Sequence, residues 1–489
     1  MWNRGKTPQS RPEAATAPLG RGGETRTPPL HGRRGARTRF REVGKDLVIV
    51  FLALSAVYLI LRTQSRVELP KSGGIWGSVV AFFQGGGGAE TPANRPENQI
   101  LELQPVRMSV NLAGVGTYGV QYDTAAVDKL SDKMFILLGE ALSSAKEPRS
   151  VTEQVWRDAL ANRDNVYFDF QGQVPLAVLY AWTEAGTGEA LAGESTRRLL
   201  LAEDGSGALT LYYSNETTGM YYACETADTL TGHLQTAVDA YSANLNDSTF
   251  AFEHSGGEGY EKLSPYVMLP KSKTPVRRAV YRAANPIGSG TSDQSRTDVI
   301  EALGFHPQAN TSYMAGGKQV VREGADTLSV YDTGAIDYHS ASLSEPMYPV
   351  GDGTGTPSLL EMVEAVQPLA EKSVGAYCGD PRTARIYLKG VTDRGNGAWQ
   401  VDYGYLLNGA VVQLGNEGYA ARFIISDGRV SDFYLHLRSY TATEEQVSVL
   451  PELQAAAAMG ALKAGGKELL LCYEDNGGTE ALYPGWVAE

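Results

Sequence analysis

Cysteine is almost absent from this 489-residue chain, which holds only Cys224, Cys378 and Cys472. Three cysteines exclude a disulfide framework, and no Cys-x-x-Cys pair offers a redox or zinc motif. The fold must rest on its hydrophobic cores, for which an apolar content of 42 % suffices. Histidine is also scarce. His31, His233, His254, His306, His339 and His436 include no pair at metal-ligand spacing and no H-E-x-x-H. Long apolar runs are missing after residue 61, so a second membrane crossing is not expected. Positive charge is in excess at one end only. Residues 1–45 hold 11 Lys/Arg against 3 Asp/Glu, a net of +8; the whole chain carries −13, leaving −21 on the remainder. An acidic body excludes nucleic acid as its partner, and a basic end suits anionic lipid.

What is present near the N-terminal end is a membrane segment. Leu47 to Leu61, LVIVFLALSAVYLIL, contains no charge. As a helix it covers about 22 Å at 1.5 Å per residue, against a hydrocarbon core of about 30 Å. Lys45 and Arg62 direct their charges outward from its ends, and Tyr58 suits an interface. We expect one transmembrane helix over 46–62, anchored by Leu47, Val48, Ile49, Phe51, Leu52, Leu54, Val57, Tyr58, Leu59 and Leu61. The rival reading is a cleaved signal peptide, whose apolar region is as short. About 45 residues precede the run and no Ala-x-Ala site follows it closely, which favours the anchor. Arg33, Arg34, Arg37, Arg39, Arg41 and Lys45 crowd the N-terminal flank. The positive-inside rule then keeps the N-terminus in the cytoplasm and the acidic body outside the cell membrane. The anchor has no small-xxx-small pair that would announce a helix partner.

A length of 489 residues suggests two to four domains. Residues 1–45 are rich in Arg, Pro, Gly and Thr and read as a disordered cytoplasmic tail. Residues 63–99 read as a stalk, with a flexible stretch from Gln84 to Asn98 (QGGGGAETPANRPEN). Three α+β domains are expected beyond it, over 100–275, 276–350 and 351–489. In the first, Val106–Leu112 alternates like a strand. Asp123 or Thr124 caps a helix with Val127, Leu130, Met134, Leu137 and Leu138 on one face. Ser150 and Glu153 form a capping box ahead of Val155, Trp156 and Leu160. Val166–Phe170, Leu199–Ala202 and Leu209–Tyr213 read as strands, the last two joined by a turn over 203–207. Leu230, Leu234, Val238 and Tyr241 mark another helix. The middle segment has a helix at Val299, Ile300 and Leu303, then strands at Thr327–Tyr331 and Ala335–Tyr338. The last has a helix over Leu359–Val366 and strands at Ala384–Leu388, Trp399–Tyr403, Ala420–Ile425 and Val430–Leu437. A helix near 444–463 and a strand at Leu469–Tyr473 follow. The turn at Asp332-Thr-Gly334 echoes the one at Asp427-Gly428; internal duplication and the commonness of Asp-Gly hairpins both account for this.

No catalytic constellation emerges. Gly114, Gly116 and Gly119 spell G-x-G-x-x-G after a strand, but no helix opens at the third glycine, so a plain turn is the better reading. Ser143 and Lys146 have the S-x-x-K spacing of penicillin-binding enzymes. Their companion motifs are replaced by Ser292-Asp293-Gln294 and Lys273-Thr274-Pro275, and a helix end explains the pair. The acidic turn Asp475–Glu480 lacks the 12-residue calcium pattern. Paired tyrosines, Tyr212-Tyr213 and Tyr221-Tyr222, suggest cross-strand packing over a sugar platform. No enzyme, cofactor or metal is expected.

The order of pieces resembles the YycH family of membrane-anchored regulators of a sensor histidine kinase in Gram-positive bacteria. The resemblance is carried by Asn165-VYFDFQGQVPLAV-Leu179, Val299-IEALGF-His306, Gly324-ADTLSVYDTGAIDYH-Ser340, Gly404-YLLNGAVVQ-Leu414 and Ala420-ARFIISDGRVSDFYLH-Leu437. The C-terminal block, ending in Leu482-Tyr-Pro-Gly-Trp486, is also similar to the sister protein YycI. The resemblance implies a single anchor and an α+β exterior of two or three antiparallel-sheet-plus-helix domains. It implies control of a WalK/YycG-like sensor histidine kinase together with a YycI-like membrane protein, and transfers no site residues. Two other functions stay open. An exterior protein binding wall polymer or peptide would carry an aromatic groove, and a hydrolase would unite Ser143, Lys146 or a histidine with a carboxylate in a pocket.

Overall fold

The computed structural model describes residues 103–489 except 184, 186–190, 204–207, 227–245, 255–259, 273, 289–292, 309–310, 342–345, 352–354, 416–417 and 460–466. The expected basic tail, anchor with its flanking arginines, stalk and helix at 230–241 lie outside the described residues. Among the described residues no helix is long and apolar enough to cross a membrane.

The first lobe is built on nine strands: β1 (Arg107–Leu112), β2 (Gly116–Gln121), β3 (Arg149–Val151), β4 (Asn165–Pro175), β5 (Ser195–Glu203), β6 (Leu209–Asn215), β7 (Met220–Glu225), β8 (Asn246–Phe250) and β9 (Met268–Pro270). They pair antiparallel in the order β3-β7-β6-β5-β4-β1-β2-β8-β9. Successive side chains of a strand face opposite sides, and this sheet is covered on both. Leu199 and Leu201 of β5 join Phe168, Leu211 and Tyr213 in one core. Leu200 and Ala202 join Tyr167, Tyr212 and Trp156 in another. That is why the strand reads as an unbroken apolar run.

The helix α1 (Thr124–Ser144) covers the first face with Val127, Leu130, Met134, Leu137 and Leu138, all buried. Asp123 caps it by accepting from the Ala126 amide at 3.1 Å. The helix α2 (Glu153–Asn162) covers the second face with Trp156, whose ring meets Tyr212 and Tyr266 edge-on. Its cap is Thr152, not the expected Ser150. Ser150 is held in β3 opposite Tyr222, so its backbone belongs to the sheet. A short helix α3 (Leu176–Trp182) begins directly after Pro175.

The second lobe holds β10 (Val276–Ala284), α4 (Asp293–Ala302), β11 (Ser312–Ala315), β12 (Lys318–Glu323), β13 (Asp326–Tyr331), β14 (Ala335–Ser340), α5 (Leu359–Ala370), β15 (Ala384–Gly395), β16 (Ala398–Leu407), β17 (Ala410–Leu414), β18 (Ala421–Ser426), β19 (Arg429–His436), β20 (Ser439–Val449), α6 (Glu452–Met459), β21 (Leu469–Asp475), β22 (Ala481–Leu482) and β23 (Pro484–Ala488). Eleven strands form one sheet in the order β11-β12-β13-β14-β19-β18-β16-β17-β21-β23, with β15 also paired to β16. A small sheet, β20-β10-β22, stands beside it. The fold is thus α+β.

Two expectations need correction. The segments 276–350 and 351–489 do not form separate sheets, because β14 pairs with β19 from Ala335↔His436 to His339↔Asp432. Tyr338 stacks on Phe433 across that pair at 4.7 Å, so each hairpin covers the other. The two echoing hairpins, β13–β14 and β18–β19, therefore lie side by side. Residues 444–449, expected to open a helix, belong to β20, paired with β10. Thr441, Thr443, Val447 and Val449 favour the extended backbone, and α6 starts only after Pro451.

Trp156→Ala removes the largest side chain of the second core and is expected to cost about 3–5 kcal/mol. A shifted midpoint in urea denaturation, with an unchanged slope, checks it.

Candidate functional site

The lobes meet where two strands bulge. In β4 the pairing register with β5 breaks between Asp169 and Val174, and Gln171 sits at φ +65°. The bulge pushes Gly172 against β15, where an added Cβ would collide with the Leu388 and Lys389 carbonyl oxygens. β15 is itself irregular between Leu388 and Gly390, and Gly390 lies against Gln173. Two glycines thus let two backbones approach without side chains between them.

A buried cluster of charges lies beside this contact. Arg197 donates Nε to Asp169 at 3.0 Å and Nη2 to the same carboxylate at 3.2 Å. Arg107 flanks Asp169 at 3.4 Å and donates to Gln171. Asp169, Arg107 and Arg198 all belong to the first lobe and are buried. The counter-charge comes from the second. Glu468 accepts from Arg198 Nη2 at 2.5 Å and from Arg197 Nη2 at 3.3 Å. Glu216 accepts from the other arm of Arg198. Burial alone would raise the Glu468 carboxyl; the Arg197, Arg198 and Arg107 guanidiniums overcome it and hold it down at about 2. Asp169 is likewise held well below the usual carboxylate range, burial being outweighed by Arg197 and Arg107.

Further links cross the same seam. Tyr122, at φ +55°, accepts from the Leu471 amide through its hydroxyl and from Arg278 through its carbonyl at 2.8 Å. Its ring meets Trp486 edge-on at 5.7 Å. Arg385 grips Asp128 with both Nη atoms, at 3.1 and 2.7 Å. Two cavities open along the seam. One, of about 640 Å³, is polar and takes in Gln171, Arg197, Tyr387, Lys389, Gln413 and Glu489. The other, of about 580 Å³, is more apolar and is walled by Phe170, Val174, Leu388, Tyr403 and Leu406.

The residues weighed for chemistry do not converge. The Ser143 hydroxyl donates to the Glu140 carbonyl in its own helix, while Lys146 pairs with Glu225 at 3.1 Å on the surface. Gly114 and Gly116 turn the β1–β2 hairpin, and Gly119 lies within β2 against Met268 and Ser248. His254 meets Thr249, His306 meets Glu323 and His339 meets Asp432, each at a different place; His31 and His233 lie outside the described residues. Among the described residues no group of three His, Cys, Asp or Glu could hold a metal. Asp475 is committed to Arg438 and Tyr440, so the acidic turn after it is a structural anchor. Tyr213 and Tyr222 stack across strands at 4.9 Å. The seam residues were missed, though one signal was present: Arg197-Arg198 stand at the mouth of an otherwise apolar strand.

No protein-family model and no curated protein sequence matches the chain. The chain is similar in structure to the crystal structure of YycH from Bacillus subtilis, with a TM-score of 0.51 and 10 % sequence identity. The match covers 81 % of this chain and 96 % of that one. The chain has a YycH-like fold. The stretches that resemble YycH fall on β4 with the start of α3, on the end of α4, and on the β13–β14, β16–β17 and β18–β19 hairpins.

Glu468 titrates near 4.5 when unfolded and near 2 when folded, so it contributes stability above pH 4.5 that is lost as pH falls toward 2. Glu468→Gln is expected to cost on the order of 3 kcal/mol at pH 7 and to flatten the acid limb of stability between pH 4.5 and 2. Urea titrations across that range check both.

Proposed function

We propose that the chain is a membrane-anchored, non-catalytic regulator of a two-component sensor histidine kinase controlling cell-wall metabolism. In this reading residues 47–61 cross the cell membrane once, with the basic tail in the cytoplasm and both lobes outside. A WalK/YycG-like kinase and a YycI-like membrane protein are its partners. The observation that carries the reading is the YycH-like fold spanning 81 % of the chain. A kinase's signalling state depends on how its transmembrane helices pack. A neighbouring helix that binds one packing better shifts the population by that difference in affinity.

A second reading, an exterior protein binding wall polymer or peptide, is favoured by the polar cavity of about 640 Å³ between the lobes. It needs no kinase.

Purification of the full chain from mildly solubilised membranes separates the two. A sensor histidine kinase is expected to accompany the native protein and to be lost when residues 47–61 are replaced by an unrelated anchor. Retention of the kinase after the swap moves the contact to the outer lobes, and absence of any kinase moves the binding-protein reading to first place.

A further inference from the structure

The polar cavity holds two donors that the protein itself leaves unused. Arg197 engages Asp169 and Glu468 through Nε and Nη2, while its Nη1 has no partner among the described residues. The Tyr387 ring lies over Gly404, its cross-strand partner, where an added Cβ would strike the ring at 2.6 Å. That contact fixes the ring, and the hydroxyl, near Arg197 and Glu489, meets no hydrogen-bond partner among the described residues. Burial pushes the hydroxyl up from its ordinary value, so it stays a donor at neutral pH. Lys389 adds a cation, with one ammonium bond already given to the Gly418 carbonyl.

Carboxylates share the cavity with these donors. Glu474 of β21 and Glu489 line the cavity from the second lobe, and Gln413 donates to Glu489 at 2.6 Å. Gln413 and Val411 project from the same face of β17, while Val412 and Leu414 alternate into the core. A volume of about 640 Å³ lies within the range of small-ligand sites. Unpaired donors and carboxylates lining one cavity suit a ligand with a negative end and a positive end. A neutral saccharide would leave both poles unpaired, at a cost.

We propose that this cavity binds a short zwitterionic peptide, its carboxylate on Arg197, Tyr387 and Lys389 and its ammonium on Glu474 and Glu489. The ligand would touch both lobes at their joint. The site stands independently of the kinase, because binding is measured on this protein alone.

Isothermal titration of the detergent-solubilised full chain with trialanine tests it, beside trialanine amide, N-acetyl-trialanine and chitotriose. Trialanine is expected to bind and the two blocked peptides to bind more weakly. Tyr387→Phe, which removes no bond within the protein, is expected to weaken trialanine binding about 3–10-fold. Glu474→Gln is expected to weaken trialanine about 2–5-fold and leave N-acetyl-trialanine unchanged. Val411→Trp, which fills the cavity, should abolish binding while calorimetry reports an intact fold. No heat with trialanine, binding of chitotriose in its place, or binding indifferent to Val411→Trp and Tyr387→Phe overturns the proposal.

Discussion

Two guanidiniums of one strand close on a carboxylate of the other lobe: Arg197 and Arg198 on Glu468. Charges this deeply buried are costly to leave alone, since desolvation is recovered only through close partners. Asp169 is matched within the first lobe by Arg107 and Arg197, but Arg198 depends on Glu468 and Glu216. Parting the lobes would expose or strand these charges. The glycine contact between β4 and β15 and the Tyr122 links then hold their geometry because the lobes cannot drift apart.

This constraint bears on the proposed role. A rigid joint transmits a displacement from one lobe to the other, whereas a loose linker would absorb it. The polar cavity sits at that joint, so an occupant contacts β4 and β5 of the first lobe and β15, β17 and β21 of the second. An occupant acts on the arrangement of the lobes only through a difference in affinity between two arrangements. The cluster sets how much difference is needed.

Much of the architecture could be read from residue patterns alone. The helix over Thr124–Ser144 was visible because its apolar residues recur at 3 and 4 and Asp123 stands at its start. The strands β5, β6, β13, β14, β18 and β19 were visible as short apolar runs between Gly and Asp turns. Local signals failed where a distant partner decided. Ser150 looks like a cap but is taken by Tyr222, more than seventy positions away. Residues 444–449 have charges that suit a helix, yet β10 recruits them into a sheet. The boundary drawn near 350 follows a Gly-rich loop, and no local feature announces that β14 pairs with a strand nearly a hundred residues later. The seam was hidden for the same reason: Arg198 and Glu468 lie 270 positions apart, and only the fold brings them together.

Scanning calorimetry of the full chain beside Glu468→Ala tests the central claim, that this cluster makes the two lobes one cooperative unit. A single transition is expected for the two lobes of the native protein, and two for the variant, the first at a markedly lower temperature. A variant that still melts in one transition at the native temperature would contradict it.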